Sequence, residues 1–290
     1  MRDASTRDPT NRPCQPAPEA ARGALVLTAM LAIALAVVAC GTSAVAAPSS
    51  AFTSIAAIDL TKAFGTRSAW RFTAMQGPEI PDQYMGPIPG AVRICLKKAG
   101  DHPCIAGLEP RPGMLLPNDT WEPHSLDMAK LVYPRGNSAP PLFLIRTASA
   151  QAFNGDQGEL TLLIAYQRAS DRFTTVYNHL TWHNNNQEVR YITSGPLKGS
   201  VVSAEPAEHS PFGYWISVSK LSPAYTYRQT LHYLSATRYN DGNPLAVIDS
   251  EMPNIQKRLG IWKPGVPLPL PAGPCPKPRL THMELWCGQS

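Results

Sequence analysis

Apolar and polar residues alternate most regularly in the middle of the chain. Every second residue is large and apolar over a run of about nine residues, which is the period of a β-strand with one face in a core. Two similar runs follow, separated by short stretches of Asp, Ser and Asn that favour turns. The pattern predicts three consecutive antiparallel strands, at 159–167, 172–182 and 188–193.

Further alternating segments lie on both sides, and one helix is predicted at 252–259. Pro253 would fall in its first turn, where a missing N–H does no harm, and Gly260 is placed to end it. So many strands with so little helix predict a mainly β fold: a single antiparallel sheet-based domain, sandwich or barrel-like, with one short helix. A propeller stays open as a third arrangement. The other predicted strands are 70–75, 92–96, 128–133, 142–149, 200–205, 212–219 and 227–236.

The N-terminal residues have the pattern of a secretion signal. A polar segment with four arginines precedes an unbroken apolar run, 24–39, which is shorter than the about 20 residues of a membrane-spanning helix. The segment 37–41 resembles a bacterial lipobox, which implies a lipoprotein-type signal peptide over 1–39 and a lipid on Cys40. Cleavage after Ala46 is the alternative.

These features predict where the protein resides. With the lipid on Cys40, the chain is anchored to the membrane of the bacterial cell envelope. With cleavage after Ala46 it is a soluble periplasmic or secreted protein. Both interpretations place the folded part outside the cytosol.

Composition divides the remaining chain into three parts. Residues 40–50 are small and polar, which predicts a tether, and residues 51–262 hold the predicted strands. Residues 263–290 begin with a proline-rich arm. The 30 prolines are about twice the usual fraction of roughly 5%, which favours turns and disfavours long helices.

Of the six cysteines, Cys14 would leave with the predicted signal and Cys40 would be lipidated or removed, so four remain. An even number in an exported chain predicts disulfides, here two. Cys95 and Cys104 lie in a predicted hairpin, whose opposed residues are close enough to be bridged. Cys275 and Cys287 would close a second loop around the proline-rich arm. Zinc held by four thiolates is the alternative, but no C-x-x-C spacing supports it.

Charge gives no indication of a nucleic-acid partner. The formal net charge is +5, and the basic residues are scattered apart from the pairs Lys97-Lys98 and Lys257-Arg258. A nucleic-acid-binding surface needs a clustered basic patch. The sequence therefore predicts no nucleic-acid binding.

Two groups of residues could hold a metal ion. His179, His183 and Glu188 offer zinc ligands, although strand positions four apart are separated by about 13 Å unless the strand bends. Asn154, Asp156 and Glu159 offer alternating oxygen ligands for calcium. Ordinary hydrogen-bonded histidines and a plain turn are the competing interpretations, so no cofactor is predicted beyond these two ions.

No catalytic motif fixes a reaction. The patterns G-x-S-x-G, H-E-x-x-H, G-x-x-x-x-G-K and G-x-G-x-x-G are all absent from the sequence. Asp241, Asp249 and Glu251, together with His232, could perform acid–base chemistry if they converged, and Glu205, Glu208 and His209 form another polar cluster. Turn, cap and surface roles explain them equally well.

Aromatic residues suggest a binding role instead. Tyr177, Tyr191, Trp215 and Tyr227 alternate with polar residues, a mixture that suits a face for a glycan or protein partner, and the same residues also serve as core. We therefore expect a non-catalytic binding or structural module of the bacterial envelope. The alternative is a periplasmic or secreted hydrolase that uses a metal ion or paired carboxylates.

Overall fold

The prediction of a mainly β protein is confirmed. In the computed structural model, strands account for 47% of the described residues and helices for 9%, and the sheets are antiparallel. The predicted signal peptide, Cys40, the tether, His183 and His209 lie outside the described residues. The structure describes residues 51–100, 104–105, 107–115, 120–136, 139–152, 154–182, 184–208 and 212–288.

Sheet I contains three antiparallel strands in the order β1-β2-β5. Alternate residues of β2, among them Trp70, Phe72 and Ala74, are buried, so one face of the sheet lies in a core. A short hairpin, β3–β4, is inserted between β2 and β5. The elements are β1 (Thr53–Asp59), α1 (Thr61–Phe64), β2 (Trp70–Gln76), β3 (Ile80–Asp82), β4 (Gly86–Ile88) and β5 (Val92–Lys98).

Sheet II is a meander of four strands. Its third strand is buried on both faces from Gly158 to Ala165, because it lies between two hydrophobic cores. The two central predicted strands match β8 and β9 to within one residue. The strands are β6 (Pro123–Val132), β7 (Leu142–Ser149), β8 (Gly158–Gln167) and β9 (Arg172–Trp182).

Sheet III is a second four-stranded meander. Its first strand, β10, is the predicted third strand of the central group, but it pairs with β11 and not with β9. Asn185 and Asn186 have positive φ angles, 56° and 58°, at the turn where the chain leaves sheet II. The three consecutive strands were therefore predicted correctly. They do not form one sheet, however, because the third strand belongs to sheet III. The strands are β10 (Glu188–Tyr191), β11 (Val201–Pro206), β12 (Gly213–Leu221) and β13 (Tyr227–Arg238).

The three sheets are stacked and share cores. Phe72 of sheet I contacts Phe143 of sheet II in the first core. The second core contains Leu163 of sheet II and Val189 of sheet III. A third core joins the other face of sheet III to helix α2 (Val247–Arg258). Sheet II is thus the middle layer, which explains why its strand β8 is buried on both faces over eight residues.

Helix α2 begins earlier than predicted. It starts at Val247, five residues before the predicted start, so Pro253 lies inside the helix and not in its first turn. The N-cap residue Ala246 provides no side-chain cap, but Glu188 Oε1 accepts the N–H of Ile248 at 2.7 Å. This cap comes from a distant strand, so the local sequence could not indicate it. No helix among the described residues is long and apolar enough to cross a membrane.

Both predicted cysteine pairs are at disulfide distance. The Cα atoms of Cys95 and Cys104 are 5.2 Å apart, and those of Cys275 and Cys287 are 4.9 Å apart. The second pair holds a C-terminal hairpin that was not predicted, in which the proline-rich arm continues into two short strands. These are β14 (Pro278–Thr281) and β15 (Glu284–Cys287).

Asp171, in the turn between β8 and β9, joins sheet II to sheet I. Its carboxylate accepts hydrogen bonds from Ser68 Oγ at 2.6 Å and Tyr166 Oη at 2.7 Å, and Lys98 Nζ lies 3.3 Å away. The bond from Ser68 is the largest cause that lowers the pKa of Asp171 well below its ordinary value of 3.8. The charged carboxylate is therefore the form that stabilises the folded chain.

We expect Asp171→Asn to weaken the acid dependence of stability. Because the pKa is lower in the folded chain, protons bind preferentially to the unfolded chain; the stabilisation is present above about pH 4 and is lost as the pH falls further. Urea unfolding would be measured from pH 7 to pH 2.5. The free energy of unfolding should fall less over this range for the variant than for the parent. Asp127→Asn, at an exposed carboxylate on β6, is the control; equal acid dependence in both variants would contradict the assignment.

Candidate functional site

The face of sheet III opposite helix α2 becomes polar and exposed at one end. Alternate residues of β12, such as Ile216 and Val218, are buried against the helix, whereas Trp215 and Ser217 point to the other side. Cross-strand pairing places Glu205 opposite Trp215 and His232 opposite Ser217. We call these four residues, Glu205, Trp215, Ser217 and His232, the Trp215 face.

Trp215 is the largest exposed side chain of this face. Its indole keeps 41% of its surface exposed although it stacks on the His232 ring, with centroids 4.9 Å apart and planes 12° apart. His232 is held in turn by Ser217, since Oγ and Nδ1 are hydrogen-bonded at 2.9 Å. The imidazole thus supports one side of the indole, and the exposed part of the indole is available to a ligand.

Glu205 supplies a charged acceptor beside the indole. His179 Nε2 of sheet II lies 3.1 Å from Glu205 Oε1, and the Glu205 side chain remains 44% exposed. The interaction with His179 lowers the pKa of Glu205 below its ordinary value of 4.5, against the opposing effect of partial burial. The carboxylate is therefore ionised at neutral pH and can accept hydrogen bonds from a ligand.

The other predicted aromatic residues lie deeper, between sheets II and III. Tyr191 is buried, while Tyr177 and Tyr227 are half-buried and pack edge to face at 5.5 Å. Burial raises the pKa of Tyr177, and it raises that of Tyr191 to about 12. Of the four aromatic residues in the predicted binding face, Trp215 is therefore the exposed one, and the three tyrosines belong mainly to the contact between sheets.

The structure separates the residues of the predicted zinc site. His179 lies against Glu205, whereas Glu188 caps helix α2 and contacts Arg190 Nη2 at 2.7 Å. The third residue, His183, is outside the described part of the chain. Within the described ranges, no group of three or more His, Cys, Asp or Glu side chains is close enough to hold a metal ion.

The predicted calcium loop is a compact turn. Asn154 Oδ1 accepts the N–H of Asp156 at 3.0 Å, and Asp156 O accepts the N–H of Ala152 at 2.7 Å. Glu159 is buried in β8, where its Oε1 lies 3.1 Å from Arg146 Nε. Two of the three candidate ligands thus have other roles.

Each of the carboxylates considered for acid–base chemistry has a structural role. Asp249 pairs with Arg190 at 2.5 Å, and Asp241 accepts the N–H groups of Arg238 and Asn243 in a turn. Glu251 is fully buried and accepts hydrogen bonds from β13 and from its own helix. All three have structural partners.

The sequence pointed to Glu205 and His232 as polar candidates, but not to their place beside Trp215. The alternation in β12 does place Trp215 and Ser217 on one side, and that in β13 places His232 on an outward position. Which strands are neighbours, and in what register, depends on contacts distant in sequence. The pairing of His232 with Ser217 and of Glu205 with Trp215 could not be predicted locally.

Comparisons with protein-family models, with curated proteins and with solved structures find no match to this chain.

Proposed function

We propose that this chain is an exported, non-catalytic binding module of the bacterial envelope, anchored by a lipid on Cys40, and that it binds a glycan at the Trp215 face. The observation that carries the proposal is the indole of Trp215, which is 41% exposed, stacks on His232 and lies next to the ionised carboxylate of Glu205. Large exposed aromatic side chains on a rigid support are typical of binding sites.

The chemistry of the face suits a sugar ring. One side of a pyranose presents C–H groups that pack on an aromatic ring, and its edge presents hydroxyls. Glu205 can accept hydrogen bonds from hydroxyls, and a hydrogen bond to a charged group is about twice as strong as a neutral one. Ser217 offers a group that can donate or accept. All of these residues lie on strands, which hold them more rigidly than loops would.

Support for the location comes from the sequence. The lipobox-like segment before Cys40 and the even number of later cysteines agree with export to an oxidising compartment. The two cysteine pairs at bonding distance fit that interpretation.

Replacing Trp215 is expected to remove most of the affinity for the glycan. Binding of polysaccharides from bacterial envelopes by the native protein would be measured by calorimetry, and Trp215→Ala should weaken it by about tenfold or more, as expected for a central aromatic contact. Trp182→Ala, at a 39% exposed indole on the edge of sheet II, is the matched control. Equal losses in both variants, or none in either, would contradict the proposed face.

The same assay tests a hydrolase function, here one that would use Ser217 and His232 in place of the metal ion or paired carboxylates expected from the sequence. Ser217 and His232 are within hydrogen-bond distance, the contact that a nucleophile and its base would need. If the protein cleaved the bound polysaccharide and Ser217→Ala abolished cleavage while binding persisted, the protein would be a hydrolase. We expect binding without turnover.

A further inference from the structure

The β3–β4 hairpin exposes apolar side chains that take no part in the cores. Tyr84 is 71% exposed, Ile80 41% and Met85 40%, and the three hydrophobic cores include none of them. Two-stranded hairpins are marginally stable by themselves. Apolar side chains exposed to water at the tip are unfavourable unless a partner covers them. The hairpin therefore has the composition of an interaction surface.

The hairpin is nevertheless ordered at both ends. At its tip, Asp82 Oδ1 accepts the N–H groups of Tyr84 and Met85, each at 2.8 Å. At its base, Gln76 Nε2 donates to the carbonyl of Gly90, and a Cβ added to Gly90 would lie 2.0 Å from Pro78 O. The apolar side chains are thus presented by a fixed support.

The N-terminal end of the described chain packs at the base of this hairpin. A Cβ at Gly77, the first residue after β2, would lie 3.3 Å from the Phe52 ring. Arg93, at the start of β5, places its guanidinium 4.0 Å from the centre of the same ring. The segment that leads from Cys40 therefore joins the domain beside the hairpin.

We propose that the tip of the β3–β4 hairpin docks on the lipid surface of the membrane to which the chain is anchored. The proposal rests on the lipid attachment at Cys40 that forms part of the proposed function. Phe52 follows Cys40 by twelve residues, a connection of at most about 40 Å when extended. Tethering at that distance makes contact between the hairpin and the bilayer frequent.

The side chains of the tip suit the interfacial region and not the hydrocarbon interior. Tyrosine is enriched where lipid headgroups meet water, since its ring is amphipathic, and isoleucine and methionine gain by shallow burial. Glu79 and Asp82 are acidic, so they favour a shallow position at which carboxylates stay hydrated. The partner that fits is therefore a bilayer surface contacted at headgroup depth.

The test uses the acylated mature protein in vesicles of phosphatidylethanolamine and phosphatidylglycerol. A nitroxide is attached at Tyr84→Cys or, as control, at Gln229→Cys, an exposed position on β13. We expect the nitroxide at 84 to be about fivefold less accessible to a water-soluble nickel complex than the one at 229, because headgroups shield it. With the label at Ile80→Cys instead, protection should be lost when Tyr84→Ser and Met85→Ser are combined.

The outcomes separate the docking surface from the anchor. If the protein floats with the vesicles but positions 84 and 229 are equally accessible, the docking proposal is wrong and the anchor stands. Shielding of position 84 in whole envelopes but not in pure lipid would indicate a protein partner and overturn the lipid proposal. Failure to float would overturn both.

Discussion

Replacing Glu251 by alanine is expected to lower the free energy of unfolding by about 3–5 kcal/mol, the usual cost of removing one partner from a buried charged network. Glu251 lies on helix α2 and is fully buried, with 0% of its surface exposed. Its carboxylate holds the helix against sheet III. The variant would leave several donors without an acceptor in a place that water does not reach.

Five hydrogen bonds converge on this carboxylate. The Tyr233 hydroxyl donates at 2.7 Å, while the N–H groups of Ala236 and Thr237, the Thr237 hydroxyl and the Asn254 amide each donate at 2.9 Å. Burial, and after it the charge of Glu251, raises the pKa of Tyr233, so the phenol stays a donor. The two N–H groups belong to the end of β13, where its pairing with β12 is irregular.

Thermal and urea unfolding of the native protein would measure the effect. A loss of this size in a domain of this length corresponds to a fall in melting temperature of roughly 10 °C. Glu251→Gln should be milder, because an amide oxygen still accepts, and Glu208→Ala, at an exposed glutamate, should change little. Similar stability of Glu251→Ala and Glu208→Ala would show that the network contributes no net stability.

The elements that sequence patterns predicted well are those whose pattern is local. Strands β8 and β9 follow from alternation together with the turn that ends in Asp171, which adopts a φ of 48°. Helix α2 was placed too late because its first turn is capped by Glu188, a residue from another sheet. The sheet membership of β10 failed for a related reason: the strand pairs according to contacts that lie far away in sequence.

The candidate site shows the same limit. Trp215 was identified from composition and alternation, which depend on neighbouring residues. Its support by His232 depends on the register of β12 with β13, and the approach of His179 to Glu205 depends on how sheet II meets sheet III. A single sequence can therefore indicate an exposed aromatic residue. The polar groups that surround it can be identified only when the strand pairing is known.

Truncation of Phe143 should lower the free energy of unfolding about as much as the loss of Glu251, because sheet II packs against both neighbouring sheets. Phe143 is completely buried on β7 and meets the Phe72 ring edge to face, with centroids 4.9 Å apart. Its strand neighbour Leu144 points into the second core. A cavity at Phe143 therefore loosens the packing of sheet I on the layer that also carries sheet III.

We expect Phe143→Ala to lower the free energy of unfolding by about 3–5 kcal/mol, the range for a buried phenylalanine. Leu280→Ala, at a leucine on β14 that is 37% exposed, should cost far less. Intrinsic tryptophan fluorescence and far-ultraviolet circular dichroism, recorded on the same samples, would report the transition with independent probes. Because sheet II shares a core with each neighbour, the two signals should move together in a single transition at lower denaturant concentration. If Phe143→Ala instead split the transition in two, sheet I would be a separately unfolding unit, and the stacked cores would not couple the layers.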